Sequence, residues 1–173
     1  MTIGQLFTKY GSDKDSLHTY GPVYESYLSP IKDKLRVILE LGVLNGASLR
    51  AWRDYAPNAR VFGFDATKII LNEPGIITIT GDQGRAVDLE KIGATIGEPI
   101  DLIVDDCGHI PELQALSVFR LWKYLRPGGL YFIEDITVAT VIENFRCFAN
   151  AVIHDLREGN TGDNVLICLK KNL

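Results

Sequence analysis

The sequence predicts a single α/β domain built on a doubly wound, mostly parallel sheet, and three observations carry that expectation. From Leu35 onward, short β-branched runs alternate with amphipathic stretches, the pattern of repeated βαβ units whose sheet is covered on both faces. The breaks between elements fall at proline and glycine, as at Pro111 before one helical stretch and at Pro127-Gly128-Gly129 after it, where they start and stop a helix. A length of 173 residues with 46% hydrophobic content is enough for one substantial core.

In chain order, strands are expected at residues 36–41 (RVILEL), 60–65 (RVFGFD), 76–80 (IITIT), 100–105 (IDLIVD), 129–133 (GLYFI) and 165–170 (VLICLK). Helices are expected over 47–55, 85–96, 112–125 and 137–157. Upstream, residues 3–10 and 22–28 read as short helices around a polar loop, 11–20. Residues 1–34 thus form a helical extension that caps a domain spanning 35–173. Trp52, Trp122 and Phe119 fall on helical faces and read as core. His154 reads as a structural residue of the last helix, and a single strand is expected after it.

Composition narrows the classes. Net charge is −4, and Lys170-Lys171 is the only pair of adjacent cations, so no nucleic-acid partner is expected. Cys107, Cys147 and Cys168 are odd in number and lack metal-ligand spacing, which argues against a disulfide framework or a zinc site and for a reducing compartment. The first fifteen residues have no apolar core of signal-peptide type, and no run approaches bilayer length. The expectation is a soluble, cytoplasmic protein without a membrane partner.

Ligands of doubly wound sheets bind outside the carboxyl ends of the strands, near the point where strand order reverses. The first strand runs into Glu40-Leu41-Gly42-Val43-Leu44-Asn45-Gly46-Ala47-Ser48, where Gly42 and Gly46 permit a tight turn and close approach of a ligand to a helix start. An acid two residues before the first glycine suits an ammonium group and would repel a pyrophosphate. Asp65 ends the second strand, where an acid can accept from both ribose hydroxyls. Asp82 and Gln83 follow the third strand and could read an adenine edge. An ammonium acceptor, a ribose acceptor and an adenine reader together match S-adenosylmethionine. The plainer alternative is a tight strand–helix turn with Asp65 and Asp82 as solvated strand ends.

The strings ELGVLNGAS, FGFD, TGDQ and LRPGGLYFIED resemble the successive motifs of class I S-adenosylmethionine-dependent methyltransferases. With the upstream YGSDK and HTY and the DDCGH segment, the sequence most resembles the metal-dependent sugar O-methyltransferases of macrolide and polyketide biosynthesis. The resemblance implies a Rossmann-like methyltransferase domain that transfers a methyl group to a hydroxyl of a small-molecule acceptor. It also implies cofactor contacts from the turn residues Gly42, Asn45, Gly46 and Ser48. The segment 11–24, with Lys14 and His18, would pack over the cofactor pocket.

At the other end of the sheet, the fourth strand delivers Asp105-Asp106-Cys107-Gly108-His109 and the fifth delivers Glu134-Asp135. Neighbouring strands lie roughly 4.8 Å apart, so these carboxylates would converge on one cation, and oxygen donors suit Mg²⁺ or Mn²⁺. The resemblance implies that Asp106, Glu134 and Asp135 are the metal ligands and His109 the general base. Against that, Asp105 or Asp106 could contact the cofactor without a metal, and Glu134-Asp135 could cap the helix that follows. The macrolide enzymes carry a long insertion after the fifth strand and two strands at the end, and neither is legible here. A partner subunit, hence a homo-oligomer, is one way to complete the acceptor pocket. A cofactor-binding protein without catalysis, or a metal-independent enzyme with a non-sugar acceptor, remains open. A nicotinamide enzyme is disfavoured by the missing GxGxxG and by Glu40.

Overall fold

The computed structural model describes residues 1–136, 145, 150–157 and 162–172. Helices α1 (Ile3–Tyr10) and α2 (Gly21–Leu28) come first, followed by β1 (Val37–Leu41), α3 (Ala47–Tyr55), β2 (Arg60–Asp65) and β3 (Ile76–Thr80). Then follow α4 (Ala86–Ile96), β4 (Ile100–Asp105), α5 (Pro111–Leu121), β5 (Leu125–Ile133), β6 (Ala151–Asp155) and β7 (Val165–Lys170). The seven strands lie in the order β3-β2-β1-β4-β5-β7-β6. Strands β1 to β5 pair in parallel, and β7 runs antiparallel to both β5 and β6.

Each buried strand serves two cores. Ile38 of β1 joins Ile3, Phe7, Tyr24 and Trp52 on the α1–α2–α3 face. Its neighbours Val37, Leu39 and Leu41 join Leu89, Ile92, Val118 and Leu121 on the α4–α5 face. A sheet covered on both sides needs unbroken apolar runs, which is why VILEL carries little alternation. After β3 the chain crosses to the far side of β1 to form β4, so the switch in winding falls between β1 and β4, where a cleft opens at the strand ends.

Several sequence expectations are corrected. Residues 151–155 are a strand, not the end of a 137–157 helix; they pair with β7 from Ala151↔Leu169 to Asp155↔Val165. Most of the rest of that expected helix lies outside the described residues. The sheet therefore has seven strands among the described residues and ends in two antiparallel ones. His154 sits on β6, where its Nε2 lies 3.0 Å from the Tyr27 hydroxyl. Helix α5 stops at Leu121, before Pro127-Gly128-Gly129. That tripeptide lies within β5, where the register with β4 slips between Ile100 and Leu102. Phe119 is 75% exposed, because α5 buries the face carrying Gln114, Ser117, Val118 and Leu121. No helix among the described residues is long and apolar enough to cross a membrane.

Candidate active site

The turn after β1 sets the geometry. Gly42 has φ +87°, and a Cβ there would lie 2.1 Å from the Asp106 carbonyl oxygen, so only glycine lets the ends of β1 and β4 cross this closely. The close approach is held by Asp106 N donating to Leu41 O at 2.9 Å, while Gly42 N donates to Phe64 O of β2 at 2.8 Å. Beyond it, Asn45 Oδ1 accepts from Ala47 N at 3.0 Å as α3 begins. Gly46, at φ +79°, leaves room for Leu71. Asp65 is half-buried at the end of β2; its Oδ2 accepts from Val43 N at 2.9 Å and its Oδ1 from Thr67 N at 2.7 Å.

A cleft of about 380 Å³ opens over these ends. From the β1 and β2 side it is lined by Gly42, Asn45, Ser48 and Asp65, and from the β4 and β5 side by Asp106, His109 and Asp135. Ligand atoms of Asp106, His109 and Asp135 all fall within 4.8 Å of one another. His109 Nδ1 lies 3.6 Å from Asp135 Oδ2, and its Nε2 lies 4.0 Å from Asp106 Oδ1. Both distances exceed a hydrogen bond, so the imidazole stands beside the two carboxylates without being tied to either. His109 and Asp135 are also held at positive φ, +44° and +56°, a sign of backbone constraint at functional positions.

Behind this rim is a cluster that belongs to the N-terminal segment. Lys14, on a 3₁₀ turn spanning Asp13–Asp15, is 1% exposed. Its Nζ lies 2.5 Å from Asp106 Oδ2, 2.6 Å from Glu134 Oε2 and 3.2 Å from Glu40 Oε1. Burial works against its charge, but Asp106, Glu134 and Glu40 outweigh burial and hold the ammonium well above the usual lysine range. The Tyr24 hydroxyl donates to the other oxygen of Glu134, and the Tyr20 hydroxyl donates to Asp135 Oδ1 at 2.7 Å. His18 stacks on Tyr20, and its Nδ1 lies 3.6 Å from Asp135 Oδ1. Burial raises the carboxyl of Glu134 well above the usual range, with Lys14 opposing and Asp106 and Glu40 adding to the rise. Glu40, Asp106 and Glu134 thus face one ammonium, and with Asp135 beside Asp106 the carboxyl groups outnumber it, a set that suits a further cation.

Comparison with known proteins shows what the chain is similar to. No protein-family model matches the chain. An 8-demethyl-8-alpha-L-rhamnosyl tetracenomycin-C 2'-O-methyltransferase of Streptomyces olivaceus is 36% identical over 142 residues, covering 78% of this chain and 37% of the relative. Mycinamicin VI 2''-O-methyltransferase of Micromonospora griseorubida is 34% identical over 146 residues, covering 79% of this chain and 36% of the relative. The solved structure of MycE methyltransferase in complex with Mg, SAH and mycinamycin VI superposes with TM-score 0.84 at 25% identity, covering 99% of this chain and 55% of that one. The chain is a homologue of the sugar O-methyltransferases. Its seven-stranded sheet is their Rossmann-like methyltransferase fold, and it spans little more than a third of the length of these curated relatives.

Not every expected site residue faces the cleft. Glu40 is fully buried, accepting from Trp52 Nε1 at 2.6 Å, while its Oε1 has no hydrogen-bond partner and faces Lys14. Gln83 is turned inward, its Nε2 donating to Asp105 Oδ1 and Ser117 Oγ at 2.9 Å each. Asp105 is buried beneath the cleft and accepts from Tyr131 at 3.2 Å, with burial pushing its carboxyl up to about 8. Asp82 is exposed and caps Gly84 N at 2.8 Å. Glu134 faces Lys14 and Tyr24 rather than the Asp106–His109–Asp135 group. Cys107 is half-buried and its thiol is pushed up to about 12 by burial and the surrounding acids, which makes it a poor nucleophile at neutral pH.

Proposed function

We propose that this chain is an S-adenosylmethionine-dependent O-methyltransferase that acts, with a divalent cation, on a hydroxyl of a sugar-containing small molecule. The observation that supports this most is the convergence of Asp106, His109 and Asp135 within 4.8 Å beside the cleft formed by Gly42 and Asp65. The residues fit both groups. The excess of carboxylates suits Mg²⁺ or Mn²⁺, and the close turn at Gly42 with an acid at the end of β2 suits a nucleoside. Among the described residues Lys14 is the sole Lys or Arg lining the cleft, and it is already neutralised. An RNA acceptor would find no basic track here, and that favours a neutral sugar.

Asp106 and Asp135 would hold the cation, with Glu134 one carboxylate further back. When bound, the cation supplies the charge that favours ionisation of a poorly acidic hydroxyl, and S-adenosylmethionine supplies the methyl group. Asp65 holds the ribose. His109 Nδ1 faces Asp135 at 3.6 Å without a hydrogen bond, and Nε2 is the nitrogen that would take the hydroxyl proton. The remaining demand is alignment of oxygen, methyl and sulfur, which the rigid strand ends meet by positioning.

Two results test this reading. S-adenosylhomocysteine should raise the melting temperature, by about 4 kcal/mol of added stability at a thousandfold excess over Kd, and NAD should not. Asp65→Ala should reduce that shift, and a shift as large as that of the unaltered protein would remove Asp65 from the cofactor site. Methylation of 8-demethyl-8-alpha-L-rhamnosyl tetracenomycin C, a first acceptor chosen for the named relative, should cease in chelator and return with Mg²⁺. Asp135→Asn should abolish it while preserving the melting shift. Full turnover in chelator would eliminate the cation from the mechanism.

A further inference from the structure

Lys14 occupies an unusual place for a lysine. Its side chain is fully enclosed, and its ammonium bridges Asp106 Oδ2 at 2.5 Å and Glu134 Oε2 at 2.6 Å. These acids come from the ends of different strands, β4 and β5, and a third, Glu40 of β1, stands 3.2 Å away. The backbone that delivers Lys14 is fixed: the Lys14 carbonyl accepts from Tyr20 N at 3.0 Å, and the preceding Ser12 caps the turn. The remaining oxygen of Glu134 is taken by Tyr24. A metal ion seeking Glu134 as a ligand must therefore share an oxygen with Lys14 or with Tyr24, or displace one of them. Even an ion held by Asp106 Oδ1 and Asp135 alone would sit one carboxylate's width from a fixed positive charge.

We propose that Lys14 is a built-in cation of the acidic cluster, competing with the divalent metal for Asp106 and Glu134 and thereby holding metal affinity down. The same ammonium holds the buried Glu40 and Glu134 and the half-buried Asp106 close together when no metal is bound, since such groups are costly to bury unpaired. Lys14 is a positioning residue in this scheme, acting through the carboxylates rather than on substrate. A lysine that merely orients Asp106 and Glu134 for the metal would behave oppositely, because its loss would let the ligands splay and weaken metal binding.

The inference rests on the reading that a cation binds beside Asp106, and one experiment separates the two. Mn²⁺ binding is measured by electron paramagnetic resonance, alongside melting curves in chelator and in Mn²⁺, for the unaltered protein, Lys14→Met and Lys14→Arg. Lys14→Met should bind Mn²⁺ at least about tenfold more tightly, as expected from removing a like charge at contact range. It should melt lower in chelator, and Mn²⁺ should restore its melting temperature. Lys14→Arg, which keeps the charge, should bind Mn²⁺ within a few-fold of the unaltered protein. Should Lys14→Met fold only with Mn²⁺ present, the metal has replaced the ammonium as the inference requires. Lys14→Gln, which keeps an N–H donor without charge, then supplies the affinity comparison in chelator-treated protein. Equal or weaker Mn²⁺ binding by the uncharged variants overturns the inference alone. Absence of binding in all of them overturns the cation reading as well.

Discussion

Gly42→Ala is expected to lower the melting temperature by about 5–15 °C and to abolish the stabilisation by S-adenosylhomocysteine. The added Cβ would stand 2.1 Å from the Asp106 carbonyl oxygen and 2.8 Å from its carbon, at φ +87°. These are backbone atoms of a buried strand end, and no rotamer change can move them aside. An unfavourable left-handed backbone costs roughly 1–2 kcal/mol and an overpacked contact about 1–3 kcal/mol, which at this chain length gives the stated shift. To relieve the clash, β1 and β4 must part at their carboxyl ends, and the cleft lies between those ends. Gly11→Ala is the matched control, since Gly11 has φ +74° with nothing within 4 Å of an added Cβ. Its loss measures the backbone cost alone, so the excess at Gly42 reports the crossing. A Gly42 variant that melts with the Gly11 variant and still responds to S-adenosylhomocysteine would show that the close approach is dispensable.

That crossing was legible as a glycine at the end of a strand, but its partner at Asp106 was not. The same division runs through the molecule. Strands β2, β3, β4 and β7 and helix α3 fall where local pattern places them, because each apolar run is short and bounded, and β2, β4 and β7 are buried along nearly their whole length. Strand β6 was misread, because Ala-Val-Ile-His-Asp carries no strong period and owes its extended form to pairing with β7. Phe119 was misread from residue type alone, since the buried face of α5 includes the polar Gln114 and Ser117. At the site, Asp106, His109 and Asp135 converge as the adjacency of β4 and β5 implied. The role of Glu134 was obscured by a contact with a residue 120 positions away, Lys14. Lys14 itself was noticed in the N-terminal segment. Nothing in local sequence states that an ammonium will be buried among three acids from three strands.

His109→Gly should raise or leave unchanged the melting temperature while lowering kcat about a hundred- to ten-thousandfold, the usual contribution of one acid–base group. The two halves of this expectation come from separate features. His109 sits at φ +44° directly after Gly108 at φ +61°, and a non-glycine residue held left-handed costs roughly 1–2 kcal/mol. Glycine relieves that cost and returns part of it as extra unfolded-state freedom, leaving a small net gain. The imidazole itself is 43% exposed at its side chain, makes no hydrogen bond among the described residues, and stands 3.6 and 4.0 Å from the carboxylates beside it. Its removal therefore leaves little unpaired. His109→Ala keeps the strained backbone, so it should lose the same activity without the gain in stability. S-adenosylhomocysteine should bind both variants as it binds the unaltered protein, since the role proposed for His109 is on the acceptor oxygen. Mn²⁺ affinity separates base from ligand: a base leaves it within about threefold, whereas a lost imidazole ligand weakens it by about ten- to a hundredfold. Excess Mg²⁺ restoring turnover to His109→Ala would make the imidazole a ligand rather than the base. Turnover lost and not restored by metal, in a protein that melts no lower, leaves a general base held in place by backbone strain.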